Sequence, residues 1–403
     1  MDIKTPISLE GAPLARASAA GALCALAVIS SLAPLKAHAD VTSDRATATL
    51  LYTRITGVPP SSATLDAMQP LITASNPQGA AAMATAAPQF YNVMLKNMFL
   101  PATNRDQSVF VPLNDYVATA IGMIKDDVAF NTALSADILY TLKASGLPAP
   151  SASNNDHYAT ADTNNVDISA NLVKTSQSVV YGSTIVPAGL ITTRASSSAF
   201  FINGTNRAMF RFTLVNHLCR DMEQVQDTSR PTDQIRQDVA SSPGGDSRVY
   251  LNNCVGCHSG MDPMARAFAF YNFNSTSGMT EYKAGTVNAK YFINSTNNKF
   301  GFVTPDDTWT NRWRAGPNSA LGFDSTLPGT GNGAASLGAE LAASDAFADC
   351  QVQKAFKAVC LRAPSSQADA DAVKAIKGAF KANGYKMKQV FADAAVYCTV
   401  TAP

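Results

Sequence analysis

The sequence predicts a mainly α-helical chain with an N-terminal helical region and a small extended excursion, and three observations predict it. Apolar residues recur at three and four spacing through residues 43–145 and again through 339–397, as in helices that bury one face. Pro59-Pro60, Pro101 and Pro112 fall between the first apolar segments and so read as their punctuation. Only residues 280–302 alternate, loosely, between apolar and polar positions as a small sheet does.

The elements follow in chain order. Lys4 and Arg16 precede an apolar run over 17–35, and Ala37-His38-Ala39 stands before Asp40 as a small-residue cleavage signal. Residues 1–39 therefore read as a signal peptide. The run is interrupted by Ser18, Ser30, Ser31 and Pro34, which makes it a poor membrane anchor, and no later run is apolar enough to span. An N-terminal helical region is expected over 40–167, with segments at 46–55, 90–99 and 116–124. Residues 146–167, rich in Pro, Ser, Asn and Asp, read as a surface linker and mark the expected boundary to a second domain over 168–403. A helix is expected near 206–222, then a polar stretch over 228–248 broken by Pro231, Pro243, Gly244 and Gly245. Residues 316–338 read as loop, and helices return from 339 with turns at 363–367 and Asn383-Gly384.

With 46% hydrophobic and 15% charged residues the chain of 403 is long enough to bury a large core. Lys and Arg total 31 against 30 Asp and Glu, so no net field points to nucleic acid or an acidic membrane as partner. No Ser-His-Asp set, glycine-rich phosphate loop or H-E-x-x-H motif is present, which leaves hydrolase and nucleotide-binding chemistry without residues to carry it.

One motif carries chemistry. Cys254-Val255-Gly256-Cys257-His258 has the spacing of covalent haem attachment. Two thiols three positions apart on one helical turn reach two vinyl groups along a porphyrin edge, and the next residue turns its imidazole to the iron as proximal ligand. A thioredoxin-like CxxC would need a βαβ context, and zinc would need a second Cys or His pair nearby; the surrounding sequence supplies neither. The cofactor expected is one covalent haem c on Cys254 and Cys257, with His258 on the iron.

The run from Cys254 to Pro263 with Met264, followed by Ala267-Phe268-Ala269-Phe270-Tyr271-Asn272-Phe273, resembles the C-x-x-C-H-x-x-x-D-P segment of cytochrome-c-like domains of unknown function in secreted planctomycete-type proteins. Pro187-Ala188-Gly189-Leu190-Ile191-Thr192 and Asn206-Arg207 look like the lead-in of those proteins, and Cys350 to Cys398 is similar to their C-terminal helical module. The resemblance implies a helical cytochrome-c-like haem domain of the periplasm or cell surface, with no assigned substrate. The chain differs in its Cys350, Cys360 and Cys398 set and in Ala265-Arg266 after the D-P pair, where those domains place a glycine.

A second iron ligand would separate an electron carrier from a haem enzyme, because a six-coordinate iron excludes small substrates. Met261 and Met264 follow His258 too closely to cross the haem. Met387 is the preferred candidate, with Met279 and His217 behind it; His157 lies in the linker. The carrier would exchange single electrons with a redox partner protein or an extracellular acceptor. The alternatives are a peroxidase- or oxygenase-like enzyme with an open distal site, and a haem domain accessory to binding by the N-terminal region.

Seven cysteines are present, of which Cys24 belongs to the leader and Cys254 and Cys257 to the motif. Cys219, Cys350, Cys360 and Cys398 should form two disulfides after export. In one helix Cys350 and Cys360 stand about 15 Å apart, beyond disulfide reach. Cys219 with Cys350 and Cys360 with Cys398 is favoured over the crossed arrangement. Phe268, Phe270, Tyr271, Phe273, Trp309 and Trp313 are candidates to wall a haem crevice, although aromatics at such spacing are commonly core.

Overall fold

The structure is a computed structural model that describes residues 41–202 and 205–401. The expected signal peptide lies outside the described residues. Among them sixteen α-helices alternate with short 3-10 and π turns and three two-stranded antiparallel sheets. No helix among them is long and apolar enough to cross a membrane.

The largest layer joins the two ends of the chain. The Val41–Thr56 helix packs on Ser62–Thr73 and Pro77–Ala86, and also on the C-terminal helices Asp345–Cys360 and Met387–Val396. Leu51, Ile55, Phe90, Val352, Phe356 and Phe391 are buried in the shared core. Phe90 meets Phe391 edge-on at 4.9 Å, a geometry that suits the positive rim and negative face of the two rings. Side-chain caps set the helix starts: Ser61 accepts from Thr64 N–H, Asn114 from Val117 and Ser344 from Phe347, each satisfying a first-turn donor that has no intrahelical partner.

The chain does not divide at 167/168, since the described residues on both sides of that point belong to one compact unit. Strand Leu139–Leu142 pairs antiparallel with Leu172–Thr175, so the polar stretch between them is a surface excursion within a hairpin. His157 belongs to that excursion; its Nδ1 lies 2.7 Å from the Pro148 carbonyl and its Nε2 accepts from Leu142 N–H at 3.0 Å. Buried Asp115, at the start of the Asp115–Lys125 helix, accepts from the backbone N–H groups of Arg194 at 2.5 Å and Ala195 at 3.0 Å, and caps the Arg194–Phe200 helix across the same division.

The extended excursion is shorter and earlier than its alternation suggests: Tyr271–Asn274 pairs with Met279–Tyr282 across a tight turn, and Ala289–Phe292 is a 3-10 turn. A third pair joins Thr308–Thr310 to Thr330–Asn332. The expected loop over 316–338 ends early in the Gly333–Ala342 helix, where buried Ala334, Leu337 and Leu341 supply a core-facing stripe.

Two disulfides tie the helical layers. Cys219, in left-handed backbone just past the Arg207–Leu218 helix, bonds Cys350, and Cys360 bonds Cys398, with Cα separations of 5.2 and 5.5 Å. Cys350 and Cys360 do share one helix, Asp345–Cys360.

Candidate functional site

The C-x-x-C-H motif opens a helix. Asp246 caps the short Ser247–Asn253 helix, accepting from Arg248 N–H at 2.9 Å. Cys254 forms the joint, and the Val255–Ala265 helix follows from it. The joint is held by the chain after the Arg207–Leu218 helix: Asp227 N–H donates to the Gly256 carbonyl at 2.9 Å, and Ser259 Oγ donates to the Asp227 carbonyl at 2.7 Å. On the other side Trp313 is packed so closely that a Cβ built at Gly260 would stand 2.0 Å from its Nε1, so glycine is the residue that lets this helix sit there.

Cys254 and Cys257 are free thiols, each half-buried. Cys254 packs beside the buried cluster of Ile235, Tyr250 and Val255. The Cys257 sulfur lies 3.6 Å from the Met222 carbonyl, and burial, reinforced by the charge of Glu223, pushes its thiol pKa up. A thiol shifted in that direction is a poor redox nucleophile, which needs the thiolate.

His258 sits one residue further along the same turn. Its Nδ1 lies 3.2 Å from both carboxylate oxygens of Asp262, one helical turn on, while its Nε2 makes no hydrogen bond among the described residues. The side chain keeps 19% of its surface exposed, whereas Asp262 is fully buried. An ionised carboxylate only accepts, so Nδ1 is the nitrogen placed to donate to it, and in the neutral ring Nε2 is then the one left to act as a ligand.

Asp262 is fixed from behind. Arg207 Nε and Nη2 donate to its two oxygens at 2.8 Å each, a bidentate fork, and the backbone N–H of Arg236 donates at 3.3 Å. The outer edge of the Arg207 guanidinium binds Asp238, with Nη2 2.9 Å from Oδ1 and Nη1 on Oδ2. Burial alone would raise the Asp262 pKa, but the Arg207 charge, the hydrogen bonds from His258 and Arg207, and the Arg236 charge hold it well below the usual carboxylate range. Arg207 is held above its ordinary value by Asp262 and Asp238 against the opposing effect of burial. Arg236 is fully buried, stacks 4.5 Å from the Tyr291 ring centroid and donates through Nη1 to the Thr205 carbonyl at 3.1 Å.

The ligand candidates named from sequence are not brought to His258. Met387 is buried at the start of the Met387–Val396 helix, which packs on Pro77–Ala86, Asp345–Cys360 and Gln367–Ala382; the motif helix packs instead on Arg207–Leu218 and Ser247–Asn253. Met279 stands in the β-hairpin beside Phe270 and Tyr282, lining a surface cavity of about 660 Å³. His217 is a core residue whose Nε2 meets Tyr116 Oη at 3.0 Å; burial, aided by Lys354, pushes its pKa down to about 3. Of the aromatics Trp313 presses directly on the motif helix, and the Thr308–Thr310 strand that carries Trp309 also packs on it. Phe268 and Tyr271 pack on Phe201 in the core, Phe270 meets Tyr282, Phe273 lies under Arg194, and Trp309 donates to Ser336.

Sequence reasoning missed Arg207, Arg236 and Asp238 as parts of the site and used Asp262 only as half of a D-P pair. The four-residue spacing of His258 and Asp262 on one helix is the signal that would have found the carboxylate. Arg207 lies 55 positions upstream of Asp262, and no local pattern joins them.

Three or more His, Cys, Asp or Glu side chains converge nowhere among the described residues in a way that would hold a bare metal ion. Searched against protein-family models, curated proteins and solved structures, the chain has no match. The site offers two unpaired thiols on one turn, an adjacent imidazole with one ring nitrogen available, and a buried charged carboxylate behind it.

Proposed function

We infer that this chain is an exported c-type cytochrome: one haem bound through thioethers at Cys254 and Cys257, with His258 Nε2 as proximal ligand. It would pass single electrons between its haem and a redox partner protein or extracellular acceptor. One observation carries the reading. The two thiols left out of the disulfides lie on the turn that ends in His258, whose other nitrogen is already tied to Asp262. Metal-binding histidines are oriented in this way by a second acceptor.

The donor set fits the group. Two vinyl-reactive sulfurs and a neutral imidazole are what haem c requires, and the apolar Val249 and Leu251 stand exposed on the helix that delivers Cys254. The bound haem would supply reversible one-electron exchange. This chain's residues would orient it: Asp262 fixes the ring of His258, and Asp227 and Gly256 fix the turn. Two disulfides support assembly in an oxidising compartment, and the leader-like residues 1–39 support export to the periplasm or beyond. The resemblance to the planctomycete-type cytochrome-c-like domains points the same way.

The burial of Met387 and His217 in the core favours one second reading, a haem enzyme of peroxidase or oxygenase type with an open distal face. The test uses the full chain secreted by a host able to mature c-type cytochromes. Mass analysis should find the polypeptide heavier by one haem, and Cys254→Ala with Cys257→Ala should abolish the gain; a wild-type chain without added mass overturns the proposal. If haem is present, a ferric spectrum that turns from high to low spin with cyanide selects the enzyme over the carrier.

A further inference from the structure

The most ordered feature of the site lies behind the histidine. The buried Asp262 carboxylate accepts from His258 Nδ1 with both oxygens at 3.2 Å and is itself gripped by the Arg207 fork at 2.8 Å. The same guanidinium binds Asp238, so three charged side chains form one chain leading away from the imidazole. This exceeds what a structural role for His258 would call for. A single backbone carbonyl would suffice to hold the ring, yet here a full negative charge is placed against Nδ1 where water is excluded and its effect is little screened.

We propose that Asp262 is a positioning residue that sets the electron affinity of the haem through His258, with Arg207 moderating its strength. The proposal rests on the functional reading above. A carboxylate accepting from Nδ1–H pulls that proton toward itself and leaves the imidazole a stronger electron donor through Nε2. A stronger donor favours the ferric over the ferrous state and lowers the reduction potential, one of the means by which a protein tunes haem. Arg207 works in the opposite sense, drawing carboxylate charge away from the ring. The two residues thus act as a graded pair with opposite signs, which a scaffold role for either would not produce.

The test is redox titration of the secreted holoprotein, read by its visible spectrum, alongside the mass of the covalently attached haem. Asp262→Asn keeps the size and an acceptor oxygen but removes the charge. At fixed ambient potential it should raise the ferrous-to-ferric ratio about tenfold or more, which for a one-electron couple is 59 mV upward. Arg207→Gln frees the carboxylate from its fork and should shift the ratio in the other direction. If one variant is poorly folded, the other still reads the same charge. Where the ferrous iron is five-coordinate, its iron–histidine stretching frequency should fall in Asp262→Asn, a signature of weaker imidazole donation that loosened packing alone would not predict. Wild-type chain lacking haem would end the functional reading itself. Holoprotein with full haem mass whose ratio moves less than twofold in both variants, or moves the same way in both, would overturn this inference and leave the cytochrome reading standing.

Discussion

At the scale of single residues, His217 and His258 sit in opposite surroundings, and burial sets the difference. His258 keeps an exposed edge and a free Nε2, while His217 is enclosed with Nε2 against Tyr116 and a pKa pushed down from 6.5 to about 3. His217 is neutral in the folded chain and charges in the unfolded chain once the pH falls below 6.5, so protons favour unfolding between 6.5 and 3. The slope approaches about 1.4 kcal/mol per pH unit, or about 2 kcal/mol lost between pH 7 and 5. His217→Gln should flatten that loss, as read from urea midpoints at several pH values. A variant that loses stability as steeply as the parent over this range would show that other groups carry the effect. The motif residues were legible in the sequence because their chemistry is local: Cys254, Cys257 and His258 fall within one turn. Arg207 was not, because its partnership with Asp262 exists only after the chain has folded back across 55 positions.

At the scale of elements, helix periodicity and cysteine spacing were the readable signals. The segment at 46–55 lies within Val41–Thr56 and that at 116–124 within Asp115–Lys125, whereas 90–99 is a π turn running into a short α-helix. The alternating stretch at 280–302 misled because Tyr291 is buried from a 3-10 turn and not from a ladder, while Phe292 and Phe300 are exposed. The disulfides could be argued from geometry, since a straight helix separates Cys350 from Cys360 and forces each to find a partner outside it. They cross-link different lengths of chain, 131 residues for Cys219–Cys350 and 38 for Cys360–Cys398. Loop-closure entropy gives about 5 and about 4 kcal/mol respectively. Replacing Cys219 and Cys350 by alanine should therefore lower the denaturation midpoint more than replacing Cys360 and Cys398. Equal losses, or the reverse order, would show that local packing outweighs chain entropy here.

At the scale of the whole molecule, the placement of the polar stretch at 146–167 separates what composition can say from what topology decides. Composition marks it as surface, and most of it is, although His157, Tyr158 and Ala161 of its Asp156–Thr163 helix are buried; composition does not say whether the chain beyond it starts anew or returns. It returns: Leu172–Thr175 completes a hairpin begun at Leu139–Leu142, Asp115 caps the Arg194–Phe200 helix, and Arg54 donates to the Val359 carbonyl at 3.1 Å from a helix near the other end of the chain. Cutting at the expected boundary would strip the Asp345–Cys360 and Met387–Val396 helices of the Val41–Thr56 helix against which they pack. Buried core such as Phe356 and Phe391 would then face water, each at a cost of about 2–3 kcal/mol. A fragment of residues 168–403, secreted behind residues 1–39, should accordingly keep helical far-UV dichroism but lose near-UV signal and the covalent haem proposed for the motif. Adding residues 40–167 as a separate chain should restore part of both. A fragment that folds cooperatively and carries haem alone would show that the motif half holds a self-sufficient core and that the N-terminal helices only decorate it.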